Sequence, residues 1–137
     1  TNGHIDNVAC FSDQNTVLAM TCSDKDDTYY DLLSENLDIL KSSVDQDNNP
    51  LKIVEVEMSK KRFIPGDDEP SSYINFYIAN RAIILPFFGD DVADQNAMKI
   101  IKEQFPNRQI ECLDGHDILM GGGNIHCITQ QQPKAVS

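Results

Sequence analysis

The pattern that most limits the fold of this chain occurs twice. Thr16-Val17-Leu18 and Ala82-Ile83-Ile84 are short apolar runs, and Asp24 and Asp90 follow them at the same distance, an offset of 66 positions. In the first copy, apolar residues 8–11 and 16–20 flank the turn-forming tetrad Ser12-Asp13-Gln14-Asn15, which predicts a β-hairpin. The acids between Asp24 and Asp27 offer an N-cap and first turn for a helix. Tyr30, Leu33, Leu37 and Leu40 then recur at three- and four-residue spacing, one apolar stripe of an amphipathic helix. After a polar loop at 42–50, residues 51–58 return to strand, with Val54, Val56 and Met58 alternating against Glu55 and Glu57. The second copy has the same order: strand 73–79, a turn at Asn80-Arg81, and strand 82–87. A helix opened by Asp90-Asp91 carries Ala93, Ala97, Ile101 and Phe105 on one face, Pro106-Asn107 ends it, and strand 109–113 follows. The class is therefore α/β, read as tandem ββαβ units over 1–58 and 72–114, with the start of a third at 118–131. A unit of this kind cannot bury both faces of its sheet alone, so neighbouring units are expected to cover it.

Charge limits the partners. With 22 acidic against 11 basic residues the net charge is −11, which disfavours nucleic acid and anionic membrane and leaves a cationic ligand acceptable. No long apolar run or leader pattern is visible, so neither secretion nor a membrane span is expected. The cysteines, Cys10, Cys22, Cys112 and Cys127, are irregularly spaced with no C-x-x-C pair, which argues against a structural zinc and a disulfide framework. Reduced thiols in the cytoplasm are the expectation. Cys10, Cys22 and Cys112 read as buried small hydrophobes. The linker at 59–71, with Lys60-Lys61-Arg62 closely followed by acids, is no nucleic-acid patch and reads as a connector, with an exposed loop near the mouth of a site as the alternative, and the tail from Pro133 to Ser137 reads as frayed.

The chemistry concentrates at the two ends of the chain. Gly121-Gly122-Gly123 removes side chains from a stretch of backbone, so a ligand can approach the main chain; a tight turn is the plain alternative. Cys127 follows, flanked by β-branched residues of what reads as a short strand. At the other end Gly3-His4-Ile5-Asp6 offers a histidine and a carboxylate at i and i+2, which a strand would point to one face. Cysteine, histidine and carboxylate form a candidate set for covalent catalysis. Strand alternation would turn His126 away from Cys127, giving it a structural role. His116 and Asp117 read as a turn or helix cap, and none of the three histidines has metal-ligand spacing.

T-N-G-H-I-D-N at 1–7 and G-G-G-N-I-H-C-I-T-Q at 121–130, together with Ser72 to Asn80 and Phe87-Phe88-Gly89-Asp90, resemble the agmatine deiminase family, relatives of the bacterial peptidylarginine deiminases. The resemblance covers essentially the whole chain. It implies a pentein fold, five ββαβ modules around a pseudo-fivefold axis, of which this chain would hold about two and a half. Family members are well over twice this length, so the chain looks like the C-terminal part of such an enzyme. The missing N-terminal modules would supply a second guanidinium-binding carboxylate, and the segment alone is expected to be inactive.

The resemblance further implies hydrolysis of agmatine to N-carbamoylputrescine and ammonia, a step in putrescine and polyamine synthesis, with no cofactor and no metal. Cys127 would be the nucleophile, His4 the acid and base, and Asp6 the guanidinium anchor, which also keeps His4 cationic. Asn75 and Gly121, Gly122 and Gly123 would help to hold the substrate, with a structural hydrogen bond within the sheet as the alternative for Asn75. The thiol must ionise to attack, and a neighbouring imidazolium or a cationic substrate favours the thiolate. Homo-oligomerisation is compatible with the family. Three rival readings stand beside this one: deimination of free or peptidyl arginine, acyl transfer by a cysteine hydrolase, and a non-catalytic structural fragment.

Overall fold

The computed structural model describes residues 3–63 and 69–133. Two three-stranded mixed sheets organise them. In the first, β1 (Ala9–Phe11) pairs antiparallel with β2 (Thr16–Thr21), and β2 pairs parallel with β3 (Lys52–Glu57). The helix α1 (Tyr30–Ser42) makes the crossover. In the second, β4 (Tyr77–Ile78) lies antiparallel to β5 (Ala82–Phe87), which runs parallel to β6 (Gln109–Asp114) after the helix α2 (Asp91–Gln104). Each sheet thus has the ββαβ order, with the apolar runs of the repeat as its central strand. Two further short elements close the chain, the helix α3 (His116–Leu119) and a 3-10 turn at His126–Ile128. Among the described residues no helix is long and apolar enough to cross a membrane.

Local chemistry explains where the elements begin. Asp13 accepts hydrogen bonds from the Asn15 and Thr16 amides at 3.0 and 2.8 Å, an Asx turn that sets the first hairpin. Asp90 caps α2 by accepting from the Ala93 amide, and its other oxygen accepts from the Ser59 hydroxyl and the Lys60 amide. That acid therefore ties the connector after β3 to the second helix. The first helix differs from expectation: Asp24–Asp27 form turns, Asp27 accepts from the Tyr29 amide, and α1 starts only at Tyr30. Asp27 is instead drawn to Arg62, with which it forms a 2.5 Å ion pair.

One core runs between the sheets and helices. Leu18, Met20 and Val56 from the first unit pack with Ile83, Leu85, Ala97, Ile101 and Phe105 from the second. Leu33 alone of the α1 stripe is fully buried. The largest departure from the sequence reading is residues 73–76, expected as strand. Tyr73, Ile74, Asn75 and Phe76 are all buried but form an irregular segment, with strand only at Tyr77–Ile78. Side chains on both sides of it are engaged, Tyr73 by its hydroxyl on Asp94 at 2.6 Å and Asn75 toward the C-terminal loop. Its backbone is satisfied locally: the Ile74 amide donates to the Ser72 hydroxyl, and the Asn75 carbonyl accepts from His126. Cys10 and Cys22 are partly buried, and burial pushes the Cys10 thiol up to about 12. Cys112 is exposed, contrary to its expected core position, because β6 turns most of its residues outward.

Candidate active site

Two tight turns bring the ends of the chain together. The Asn7 amide donates to the His4 carbonyl at 3.1 Å and Val8 to Ile5 at 2.9 Å, winding Ile5–Asn7 into a single 3-10 turn where a strand was expected. Cys127 also lies in a 3-10 turn rather than a strand, closed by the Thr129 amide on the His126 carbonyl. The glycine run makes the second turn reachable. Gly122 and Gly123 adopt φ of 86° and 149°, which side-chain-bearing residues rarely do. Gly121 and Gly122 hydrogen-bond back to α3.

His4, Asp6, Asp117, the three glycines, His126, Cys127 and Thr129 line one open cleft of about 700 Å³. At its base the Cys127 thiol donates to Asp6 Oδ2 at 3.2 Å, and His126 Nδ1 lies 2.9 Å from the same oxygen. Burial alone pushes the Asp6 carboxyl up. The hydrogen bonds from His126 and Cys127, the His126 charge and Asn75 outweigh it, so the group ionises below the usual carboxylate value. The other Asp6 oxygen, Oδ1, is buried without a hydrogen-bond partner among the described residues. His4 borders the cleft, and its ring has no hydrogen-bond partner among the described residues. Asn75 is not on the cleft wall: it is fully buried behind the cysteine, 3.1 Å from Sγ.

His126 is the residue that strand reasoning placed wrongly. In a strand, neighbours point in opposite directions. In a 3-10 turn successive residues diverge by only about 120°, so His126 and Cys127 both reach Asp6. Asn7, Ser72 and Asn124 are buried polar residues that sequence reasoning missed, and nothing in residue spacing marks them. Asn124 anchors the glycine turn, donating to the Gly115 carbonyl and accepting from the Ile125 amide. His116 opens α3 with its ring 4.4 Å from that of Phe63, away from the cleft.

The Gly115–Asn124 contact gives a test of this scaffold. A Cβ at Gly115 would lie 2.9 Å from Asn124 Nδ2 and 3.0 Å from Pro86 Cβ. Gly115→Ala is therefore expected to cost about 1–3 kcal/mol through overpacking. It should lower the melting temperature by several degrees and displace the loop that carries Cys127. An unchanged melting temperature would show that the loop yields without strain.

A mixed α/β fold thus gathers a thiol, two carboxylates and two histidines along one cleft. The chain belongs to the Porphyromonas-type peptidyl-arginine deiminase family, which it matches over residues 1–133. A Legionella pneumophila (strain Paris) protein provisionally named agmatine deiminase is 43% identical over 135 residues, 98% of this chain and 39% of that protein. The agmatine deiminase of Medicago truncatula is 35% identical over 97% of this chain and 41% of its own length. Among solved structures, the agmatine deiminase of Enterococcus faecalis superposes with a TM-score of 0.88 at 31% identity, covering 99% of this chain and 42% of that one. The chain thus spans about two fifths of the length of the relatives it matches.

Proposed function

We propose that this chain carries the nucleophile half of a cysteine-dependent deiminase that hydrolyses agmatine to N-carbamoylputrescine and ammonia. The single observation that supports it best is the state of Asp6: one oxygen engaged by Cys127 and His126, the other buried and without a partner. An unmatched buried carboxylate oxygen costs about 1–3 kcal/mol or more, and a planar guanidinium N–H is the donor that would recover it. The same contact sets the guanidinium carbon beside Cys127 Sγ.

The reaction follows from these positions. The Cys127 thiolate adds to the guanidinium carbon and forms a tetrahedral adduct. His4, at the cleft rim, gives a proton to one amino nitrogen, and the C–N bond breaks to release ammonia. A covalent thiouronium remains on the sulfur. His4, now neutral, takes a proton from water as the water oxygen bonds to carbon. The C–S bond then breaks as the adduct's hydroxyl gives its proton to the surrounding water, where the released ammonia takes it up, regenerating the thiolate and releasing the neutral carbamoyl amine. Gly121, Gly122 and Gly123 leave space for the substrate beside the main chain.

Two further parts of the reading concern what lies beyond these residues. The chain would hold about two and a half of five modules. The rest of the relatives' length would complete the cleft with a second carboxylate and the acids that select the far amine of agmatine. Residues 1–137 alone are then expected to turn over little or no agmatine. The free thiols suit a reducing compartment, and the cytoplasm is the proposed site of action.

The test is product release by the full-length encoded protein from agmatine, free arginine and an arginine peptide in parallel. Carbamoylputrescine formation supports the reading. Citrulline from arginine or peptide alone moves the substrate to the arginine branch. No turnover of any guanidine by folded protein overturns both.

A further inference from the structure

We infer that Asn75 is a positioning residue for Cys127: its buried amide fixes the sulfur and locks together the two turns that carry Asp6 and Cys127. This rests on reading Cys127 as the nucleophile and goes beyond any role for Asn75 in holding substrate.

The side-chain amide is spent entirely on protein. Its Oδ1 accepts from the His126 amide at 2.9 Å and from the Cys127 amide at 3.4 Å. Those two main-chain donors settle which end of the amide is oxygen, because a flipped amide would set N–H against N–H. The Nδ2 group has two hydrogens. Its nearest acceptors are Asn7 Oδ1 at 2.9 Å and Cys127 Sγ at 3.1 Å, with the Asp6 carbonyl farther, at 3.4 Å. Asn7 is held in turn, since its carbonyl accepts from the Ser72 hydroxyl at 2.6 Å. Asn75, Asn7 and Ser72 are buried, at 0%, 6% and 2% exposure, so the bonds that join the three are shielded from water, while the sulfur itself faces the open cleft. One amide thus spans the first turn, the second turn and the sulfur.

The consequence lies in what faces the sulfur on its other side. Asp6 Oδ2, 3.2 Å away, accepts the thiol hydrogen. Once that hydrogen leaves, the attraction becomes repulsion between two anions at the same separation. Asn75 Nδ2 is then the group among the described residues that still donates to sulfur, and a donor bonds a thiolate more strongly than a thiol. Asn75 is the counterweight that lets Cys127 ionise next to a carboxylate without leaving its place.

The test reads Cys127 alkylation by iodoacetamide in the full-length protein, followed on the Cys127 peptide by mass spectrometry so that Cys10, Cys22 and Cys112 do not contribute. No guanidine turnover is needed. Asn75→Asp keeps the size of the side chain but sets an oxygen where Nδ2 stands. It is expected to slow alkylation about tenfold at neutral pH and to move the pH profile upward by about one unit, in a protein whose melting is still cooperative. A folded variant with the wild-type profile overturns the inference. If Asn75→Asp does not fold, Asn7→Ser carries the test, because it keeps Asn75 but removes the acceptor that orients Nδ2. A shift in the same direction supports the inference, and an unchanged profile overturns it. A normal alkylation response in a protein that deiminates nothing would overturn only the proposed reaction.

Discussion

Cys127→Ala is expected to reduce guanidine turnover by about ten-thousand-fold or more while leaving substrate binding largely intact. The split follows from the site. Among the described residues one thiol borders the cleft, because Cys10, Cys22 and Cys112 lie outside its lining, so under the proposed reaction no other cysteine of this chain replaces Cys127. Cys10 in addition is held as a thiol by burial, up to about 12. Water could attack the guanidinium directly, but without the covalent intermediate it meets the full resonance stabilisation of the cation in one step. Binding depends on a different atom. Asp6 Oδ1 is untouched by the substitution, and Oδ2 loses one of its two donors and keeps His126. The measurement is steady-state turnover of agmatine by the full-length protein, with calorimetric binding to the alanine variant. Residual turnover within tenfold of wild type would remove Cys127 from the chemistry.

The parts of the fold that were legible in the sequence are those in which one period dominates. The central strands β2 and β5 are continuous apolar runs, the helices α1 and α2 repeat their apolar residues at helical spacing, and β3 alternates, whereas β6 turns most of its residues outward and was legible by its place in the repeat. Asp90 was legible as a cap because the pair Asp90-Asp91 directly precedes a clean helical stripe, whereas Asp24, Asp26 and Asp27 offered three acids, the last of which pairs with Arg62, 35 residues away. Residues 73–76 and the two short turns were not legible for a common reason. They are buried on more than one side and held by specific polar contacts, so they carry no amphipathic period. The candidate site shows the same division. His4, Asp6 and Cys127 could be picked out by residue type, and all three border one cleft. The arrangement around them, with His126 on Asp6 and Asn75 behind the sulfur, depends on turn geometry that residue spacing does not encode.

Asp6→Asn is expected to lower kcat/KM for a guanidine substrate by about thirty- to five-thousand-fold, the equivalent of the 2–5 kcal/mol typical of losing one partner of a desolvated charge pair. The amide keeps the size of the carboxyl, so a steric cause is removed from the outset. What it loses is charge, and it places an N–H beside either His126 Nδ1 or Cys127 Sγ–H, both of which sit as donors on Oδ2. The variant should therefore fail at holding the cation, raising KM, and also at aligning the carbon with sulfur, lowering kcat. The charge has a separate signature in stability. Hydrogen bonds and the His126 charge, set against burial, hold the Asp6 carboxyl below its ordinary range in the folded protein. A group depressed in this way contributes stability above its unfolded value of about 3.9 and loses that contribution as pH falls through its folded value. Melting curves of wild type and Asp6→Asn between pH 7 and pH 3 should accordingly show the wild type losing ground to the variant below about pH 4. A difference between the two proteins that stays constant, or grows in favour of wild type in acid, would show that Asp6 is not held as an anion by its neighbours. The proposed guanidinium anchor would then have to be sought on another residue of the cleft.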